Sequence, residues 1–179
     1  MFINQKNLNF LIFFFCFNIF SSISQTNEDV PLNNLVINQI PKPITSVIFE
    51  DFSGNKIDLK DYYGNLIIVN FWATWCAPCK KEMPSLDNLY QDKKFKNLKI
   101  LAVNMEDPNP AKTKKFFEDL NIQKLEIFFD RNLNFVKEFK LRGVPTTILI
   151  NKKGEDFARI IGEVNFQDKK FLKWLSKYD

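Results

Sequence analysis

Phe71-Trp72-Ala73-Thr74-Trp75-Cys76-Ala77-Pro78-Cys79 sets two thiols three residues apart at a change of periodicity. Before it runs Leu66-Ile67-Ile68-Val69-Asn70-Phe71-Trp72, an almost continuous apolar stretch; after it Met83, Leu86, Leu89 and Tyr90 recur on one helical face. The first pattern is that of a strand buried on both faces in a largely parallel sheet, and the second predicts an amphipathic helix from Cys76 to about Tyr90. A helix begins with N–H groups that lack intrahelical partners and with the positive end of the macrodipole, so a sulfur at that point is stabilised as thiolate. The thiolate is the nucleophile of disulfide exchange, and such a setting lowers a thiol pKa from about 8.5 to roughly 3.5–7.5. Cys76 is therefore the candidate nucleophile. Cys79, one turn on, is the candidate resolving thiol that reaches back to release a mixed disulfide. Pro78 suits a first helical turn, where the N–H it lacks would have no partner, while Pro84 is expected to kink the helix.

Composition narrows the other uses of two cysteines. The chain has no histidine, which removes Cys-His nucleophile pairs and Ser-His-Asp hydrolysis within it. Structural zinc wants four N or S ligands, and beyond Cys76 and Cys79 only carboxylates remain once the leader described below is set aside. Two thiolates could still clamp a soft ion such as Cu(I), so a metallochaperone stays open as an alternative. A structural C-x-x-C disulfide closes too short a loop to constrain the unfolded chain much. A redox couple makes better use of the same atoms.

With 179 residues the chain suits one well-buried domain, and its 45% hydrophobic residues, including 20 Phe, supply an aromatic-rich core. The formal charge of +4 comes from 25 basic and 21 acidic residues scattered along the sequence, without a nucleic-acid motif, so no nucleic-acid partner is expected. Residues 1–24 read as an export signal: Lys6 precedes the apolar stretch Leu8 to Phe20, and Ser22-Ile23-Ser24 supplies small residues for cleavage before Gln25. That stretch is shorter than the roughly 20 apolar residues of a membrane span, yet retention as an anchor stays open. Cys16 would leave with the signal. Export places the chain in a periplasmic or other extracytoplasmic compartment, where disulfides persist and a dithiol must be actively kept in one state.

Residues 25–43, polar and carrying Pro31, Pro41 and Pro43, are expected to form an extended linker ahead of a domain spanning 44–179. Val47 to Leu59 suggests a hairpin turned at Gly54-Asn55, with an irregular loop as the alternative. After the Cys76 helix come a strand over Leu98–Val103, a helix opened by Pro110 and reaching Leu120, a strand over Leu125–Phe129 and a short helix over Asn132–Phe139. Thr147 to Ile150 is a further strand, turned at Asn151-Lys152-Lys153-Gly154 into an antiparallel partner over Asp156–Ile161. An amphipathic helix over Phe166–Tyr178 closes the chain. The order is α/β.

Val69-Asn70-Phe71-Trp72-Ala73-Thr74-Trp75-Cys76, Cys79-Lys80-Lys81-Glu82-Met83-Pro84 and Gly143-Val144-Pro145-Thr146-Thr147 together resemble the thioredoxin superfamily, and within it the exported TlpA/ResA/CcmG group of thiol-disulfide oxidoreductases. The resemblance runs from about Pro43 to the C-terminus. It implies a thioredoxin-like fold, a central mixed sheet flanked by helices with an N-terminal β-hairpin and a helix-strand insertion between about Asp107 and Asp130. It also implies a cis Val144-Pro145 bond lying against the dithiol, where the Val144 backbone would pair with an incoming substrate strand; without the resemblance Pro145 reads as a loop proline. Trp75 and Trp72 would flank the sulfurs with apolar surface. Asn70 stands where cytoplasmic thioredoxins carry a buried proton-accepting aspartate. Glu82 matches an acidic residue that ResA-like members place after the second cysteine. On a helix it shares a face with Cys79, and two readings stand side by side: a proton shuttle to Cys79, or a solvated surface carboxylate.

The activity implied is that of an exported protein-disulfide reductant using Cys76 and Cys79, with the haem-binding C-x-x-C-H of apocytochrome c as client and a membrane electron carrier of the DsbD/CcdA kind as donor. No dissociable cofactor is expected. The alternatives are a general disulfide oxidant or isomerase, which would need a much less negative potential, and the Cu(I)-site assembly factor. A thiol peroxidase is disfavoured, because the segment before Cys76 lacks the Pro and Thr spacing those enzymes place there.

Overall fold

Alternating parity along Leu66-Ile67-Ile68-Val69-Asn70-Phe71-Trp72 sends successive side chains to opposite faces of a sheet, and both faces are covered. Leu66, Ile68 and Trp72 join one buried cluster; Ile67, Val69 and Phe71 join the other. A computed structural model describes residues 30–179, of which Pro31–Asp179 form one unit. The expected signal at residues 1–24, with Cys16, lies outside the described residues.

The elements are β1 (Leu35–Pro43), β2 (Ile48–Asp51), β3 (Lys56–Asp58), β4 (Leu66–Trp72), α1 (Ala77–Tyr90), β5 (Leu98–Asn104), α2 (Pro110–Asp119), β6 (Ile127–Phe129), α3 (Asn134–Phe139), β7 (Thr146–Ile150), β8 (Glu155–Ile161) and α4 (Lys169–Leu175). All strands join one sheet in the order β1-β8-β7-β4-β5-β6-β2-β3. Among the described strands only β4–β5 and β5–β6 are parallel; the other pairings are antiparallel. The expectation of a largely parallel setting for β4 is thus corrected to a mixed sheet. What makes β4 apolar throughout is cover on both faces, not the direction of its neighbours.

One face is covered by α1 (Met83, Leu86, Leu89), α2 (Phe116, Phe117) and α4 (Phe171, Trp174, Leu175). The other is covered by α3 (Phe135, Phe139) together with Phe49 and Leu59 of the N-terminal hairpin region. The α2–β6 segment extends the sheet: β6 pairs parallel to β5 and antiparallel to β2, so the inserted strand is what ties the hairpin into the sheet.

Residues 35–43, read from sequence as part of a linker, are an edge strand. Leu35, Val36 and Ile37 pair with Ile160, Arg159 and Ala158 of β8, and the register slips before Lys42 and Pro43. Prolines are tolerated there because an edge strand has one side without ladder bonds. Helix α1 runs through Pro84 to Tyr90. Among the described residues no helix is long and apolar enough to cross a membrane.

Asp87 on α1 is a buried structural carboxylate: it accepts the main-chain N–H groups of Gln123 (3.2 Å), Lys124 (2.8 Å) and Leu125 (2.9 Å), anchoring the approach to β6. Hydrogen bonds to a charged acceptor contribute about 1.5–3 kcal/mol each, and a buried donor left bare costs more than it gained. Asp87→Ala is therefore expected to destabilise the fold by about 3 kcal/mol or more in urea unfolding, with the 76/79 potential unchanged.

Candidate active site

Strand β4 ends at Trp72, and the chain crosses Ala73-Thr74-Trp75 before entering α1. That crossing is pinned from β5. The N–H of Met105 donates to the Trp72 carbonyl (2.9 Å), and the N–H and hydroxyl of Thr74 both donate to the Glu106 carboxylate, the hydroxyl at 3.0 Å. Glu106 in turn receives Lys112 Nζ at 2.6 Å, and its own N–H donates to Asn104 Oδ1 at 2.7 Å. The hydrogen bonds from Lys112 and Thr74 hold the Glu106 carboxyl below its ordinary range although partial burial opposes this. Nothing in the sequence pattern marked this brace; only the parallel alignment of Trp72 with Asn104 brings it to the loop.

Cys76 is the N-cap of α1, with extended backbone at φ −81° and ψ 105°, and Pro78 lies in the first turn. Its sulfur accepts the N–H of Cys79 at 3.2 Å, the interaction expected of a capping atom at an unsatisfied helix start. Cys76 and Cys79 form a disulfide with Cα atoms 5.3 Å apart. Cys76 is 3% exposed and Cys79 fully buried, so the outer sulfur is the one a partner can reach. Trp75 beside it is 70% exposed and presents its indole to solvent. Trp72 instead lies in the core, stacked on Phe116 at 4.7 Å between ring centroids, in the same cluster as both sulfurs.

The Val144-Pro145 peptide is cis. Pro145 is buried, and half-buried Val144 packs against the cluster containing Cys76 and Cys79. Strand β7 starts immediately after and pairs with β4, which brings the proline-bearing and cysteine-bearing stretches of the sequence together. Among the described residues the main-chain N–H and C=O of Val144 make no hydrogen bond.

Glu82 is 1% exposed, so the solvated-surface alternative does not describe where it lies. Asn70 shares the parity of Ile68 and Trp72 and thus faces α1; its amide donates to Glu82 Oε1 at 2.8 Å and to Thr147 Oγ1 at 3.0 Å. Thr147 is the residue directly opposite Asn70 on β7. The second carboxyl oxygen, Oε2, accepts the N–H of Val164 at 3.1 Å. Burial pushes the Glu82 carboxyl up to about 7 from its ordinary 4.5, and the two hydrogen bonds only partly offset it. Where cytoplasmic thioredoxins carry an acid on the strand, this chain has an amide on the strand holding an acid from the helix. Asn70, Thr147 and Val164 were not legible as partners of Glu82, since the loop carrying Val164 returns from 82 residues downstream.

Among the described residues no group of three or more His, Cys, Asp or Glu side chains could hold a metal ion.

Residues 40–155, which include both cysteines and Pro145, match the AhpC/TSA family. The thiol-disulfide oxidoreductase ResA of a Bacillus cereus strain is 35% identical over 125 residues, covering 70% of this chain and 71% of that protein. The crystal structure of StoA from Bacillus subtilis superposes with a TM-score of 0.60 at 25% identity, over 75% of this chain and 96% of that one. A DsbF homologue from Corynebacterium diphtheriae shares the fold, with a TM-score of 0.66 at 22% identity over 80% of this chain and 92% of that one.

Proposed function

Because the chain belongs to the AhpC/TSA family and is a thiol-disulfide oxidoreductase of the ResA type, we propose that it works outside the cytoplasm as a reductant of protein disulfides. The client is the oxidised C-x-x-C-H haem site of apocytochrome c, and electrons are restored to the 76/79 pair by a membrane carrier of the DsbD/CcdA kind. The observation that carries the direction of transfer is the burial of Glu82 one turn beyond Cys79. A carboxylate in low dielectric opposes a thiolate nearby and so disfavours the reduced, ionised pair; oxidants of the DsbA type are strong because their reduced form is stabilised.

In the reaction the Cys76 thiolate attacks one sulfur of the client disulfide, forming a Cys76–client bond while the other client sulfur leaves as thiolate and takes a proton. The Cys79 thiolate then attacks the Cys76 sulfur and expels the first client sulfur. Two electrons pass to the client, which ends as a dithiol, and the protein ends as the disulfide. Glu82, on the Cys79 side of the helix, takes the proton that Cys79 must lose before the second step; a carboxyl poised near neutrality is suited to accept and return it. Trp75 and the Val144-Pro145 edge hold the client disulfide against Cys76.

The reading is tested with a peptide bearing an oxidised C-x-x-C-H loop and the reduced protein in single turnover. Stoichiometric appearance of peptide dithiol at a rate well above that of dithiothreitol at equal thiol concentration is expected. Peptide left oxidised, or a reduced control peptide oxidised by the disulfide form of the protein, would contradict it.

A further inference from the structure

Alongside the cis peptide, the chain from Lys140 to Thr146 and the end of β8 enclose a groove of about 550 Å3 whose lining includes Lys140, Arg142, Val144, Arg159 and Ile161. Among the described residues three cations line it and no carboxylate does. Arg159 is committed elsewhere, donating to Asp156 Oδ2 at 2.8 Å and to the Phe139 carbonyl at 3.2 Å. Lys140 and Arg142 are exposed, and their side chains have no ion pair or hydrogen bond among the described residues. Ile161 adds an apolar rim at 60% exposure. Val144, with its unused main-chain donor and acceptor and its packing against the sulfurs' cluster, also lines the groove.

We propose that this groove selects client segments that carry acidic side chains beside the reactive cysteine. The inference rests on the reductase reading and names the chemistry of its substrate. A segment paired along Val144, its cysteine at Cys76, continues past Arg142 and Lys140, so a carboxylate within a few residues of the cysteine meets two unpaired cations. Such a pair of charges raises encounter rate and orients the segment, an effect that salt screens. The exchange itself is unchanged: the same two sulfur attacks follow once the client disulfide lies over Cys76.

The test uses the reduced full chain and three peptides closed by the same C-x-x-C disulfide and flanked by Glu-Glu, Gln-Gln or Lys-Lys. Single-turnover rates are each divided by that peptide's rate with dithiothreitol, which removes differences in intrinsic disulfide reactivity. The acidic peptide is expected to react about tenfold faster than the neutral one at low ionic strength, and about twofold at 0.5 M salt, with the basic peptide slowest. In Lys140→Gln/Arg142→Gln the acidic-to-neutral ratio is expected to fall to about one. Equal normalised rates for the three peptides, or a ratio that survives the double substitution, would overturn the inference while leaving the reductase reading intact. A chain that reduces none of them overturns that reading and the inference with it.

Discussion

Cys76→Ser is expected to abolish disulfide exchange, with a loss of at least about a thousandfold in rate, whereas Cys79→Ser is expected to stop halfway with the client held on Cys76. The asymmetry follows from position on the helix. Cys76 caps α1, receives the Cys79 N–H at 3.2 Å and is the sulfur with surface contact; Cys79 is fully buried beneath it. An attacking sulfur needs access and a stabilised anion, while a resolving sulfur needs only to reach its neighbour, which the disulfide already demonstrates. Incubation with an oxidised peptide followed by mass spectrometry checks both variants. A stable adduct on Cys76 in the Cys79→Ser protein and none on Cys79 in the Cys76→Ser protein is the expected pair of results; comparable adducts on both would reverse the assignment of roles.

The second large effect concerns Glu82. Its carboxyl binds a proton more tightly in the folded chain, at about 7, than at the ordinary 4.5 of an unfolded one. For an acid with a raised folded pKa the native state holds more protons between those values, so stability is fully present below pH 4.5 and declines as pH rises through 7. The decline is worth about 3 kcal/mol. Glu82→Gln is expected to remove that dependence, leaving the oxidised protein more stable than the parent by up to about 3 kcal/mol at pH 8 and little changed at pH 4.5. The substitution fits the site. Asn70 Oδ1 has no partner among the described residues, so rotating the Asn70 amide lets it accept from the new Gln side chain, whose own oxygen keeps the Val164 N–H. Removing the charge is also expected to raise the 76/79 potential by about 30 mV, a tenfold change in the exchange constant, and to flatten the pH profile of the resolving step near pH 7. Urea unfolding from pH 4.5 to 8 and glutathione titration read the two consequences separately. Parallel stability curves for parent and variant across that range would place the carboxyl outside the proton economy of the fold.

The part of the site nearest the sulfurs was legible in the chain because it is local: an apolar strand, a capping cysteine and a helical face follow one another without interruption between Leu66 and Tyr90. The cis proline came from resemblance rather than from spacing, since an isolated Val-Pro step reads as well for a loop. What sequence could not supply was contact made across the sheet. Glu82 looks like any helical carboxylate flanked by lysines until Asn70, Thr147 and Val164 close around it, and Glu106 looks like a loop residue until β5 aligns with β4. The edge strand β1 was hidden for a different reason. Of its residues only Leu35 is buried, so it lacks the alternation by which strands are recognised, and it is specified by the backbone of β8 rather than by its own side chains.

Asp107 to Asp130 shows how an addition to the fold is made useful. Phe116 and Phe117 of α2 pack on Trp72 with ring centroids 4.7 and 5.5 Å away, directly behind the loop that leads to Cys76. The same segment supplies Lys112, which holds Glu106 against Thr74. The insertion therefore supports the dithiol loop from behind, while Trp75 beside Cys76 stays exposed.

Cys76 and Cys79 are expected to interconvert reversibly between disulfide and dithiol at a potential suited to giving electrons away. Equilibration of the full chain in glutathione and dithiothreitol buffers at pH 7, read by alkylation, measures that potential. A value more negative than about −200 mV is predicted. A value near −120 mV, where strong oxidants lie, would contradict the account.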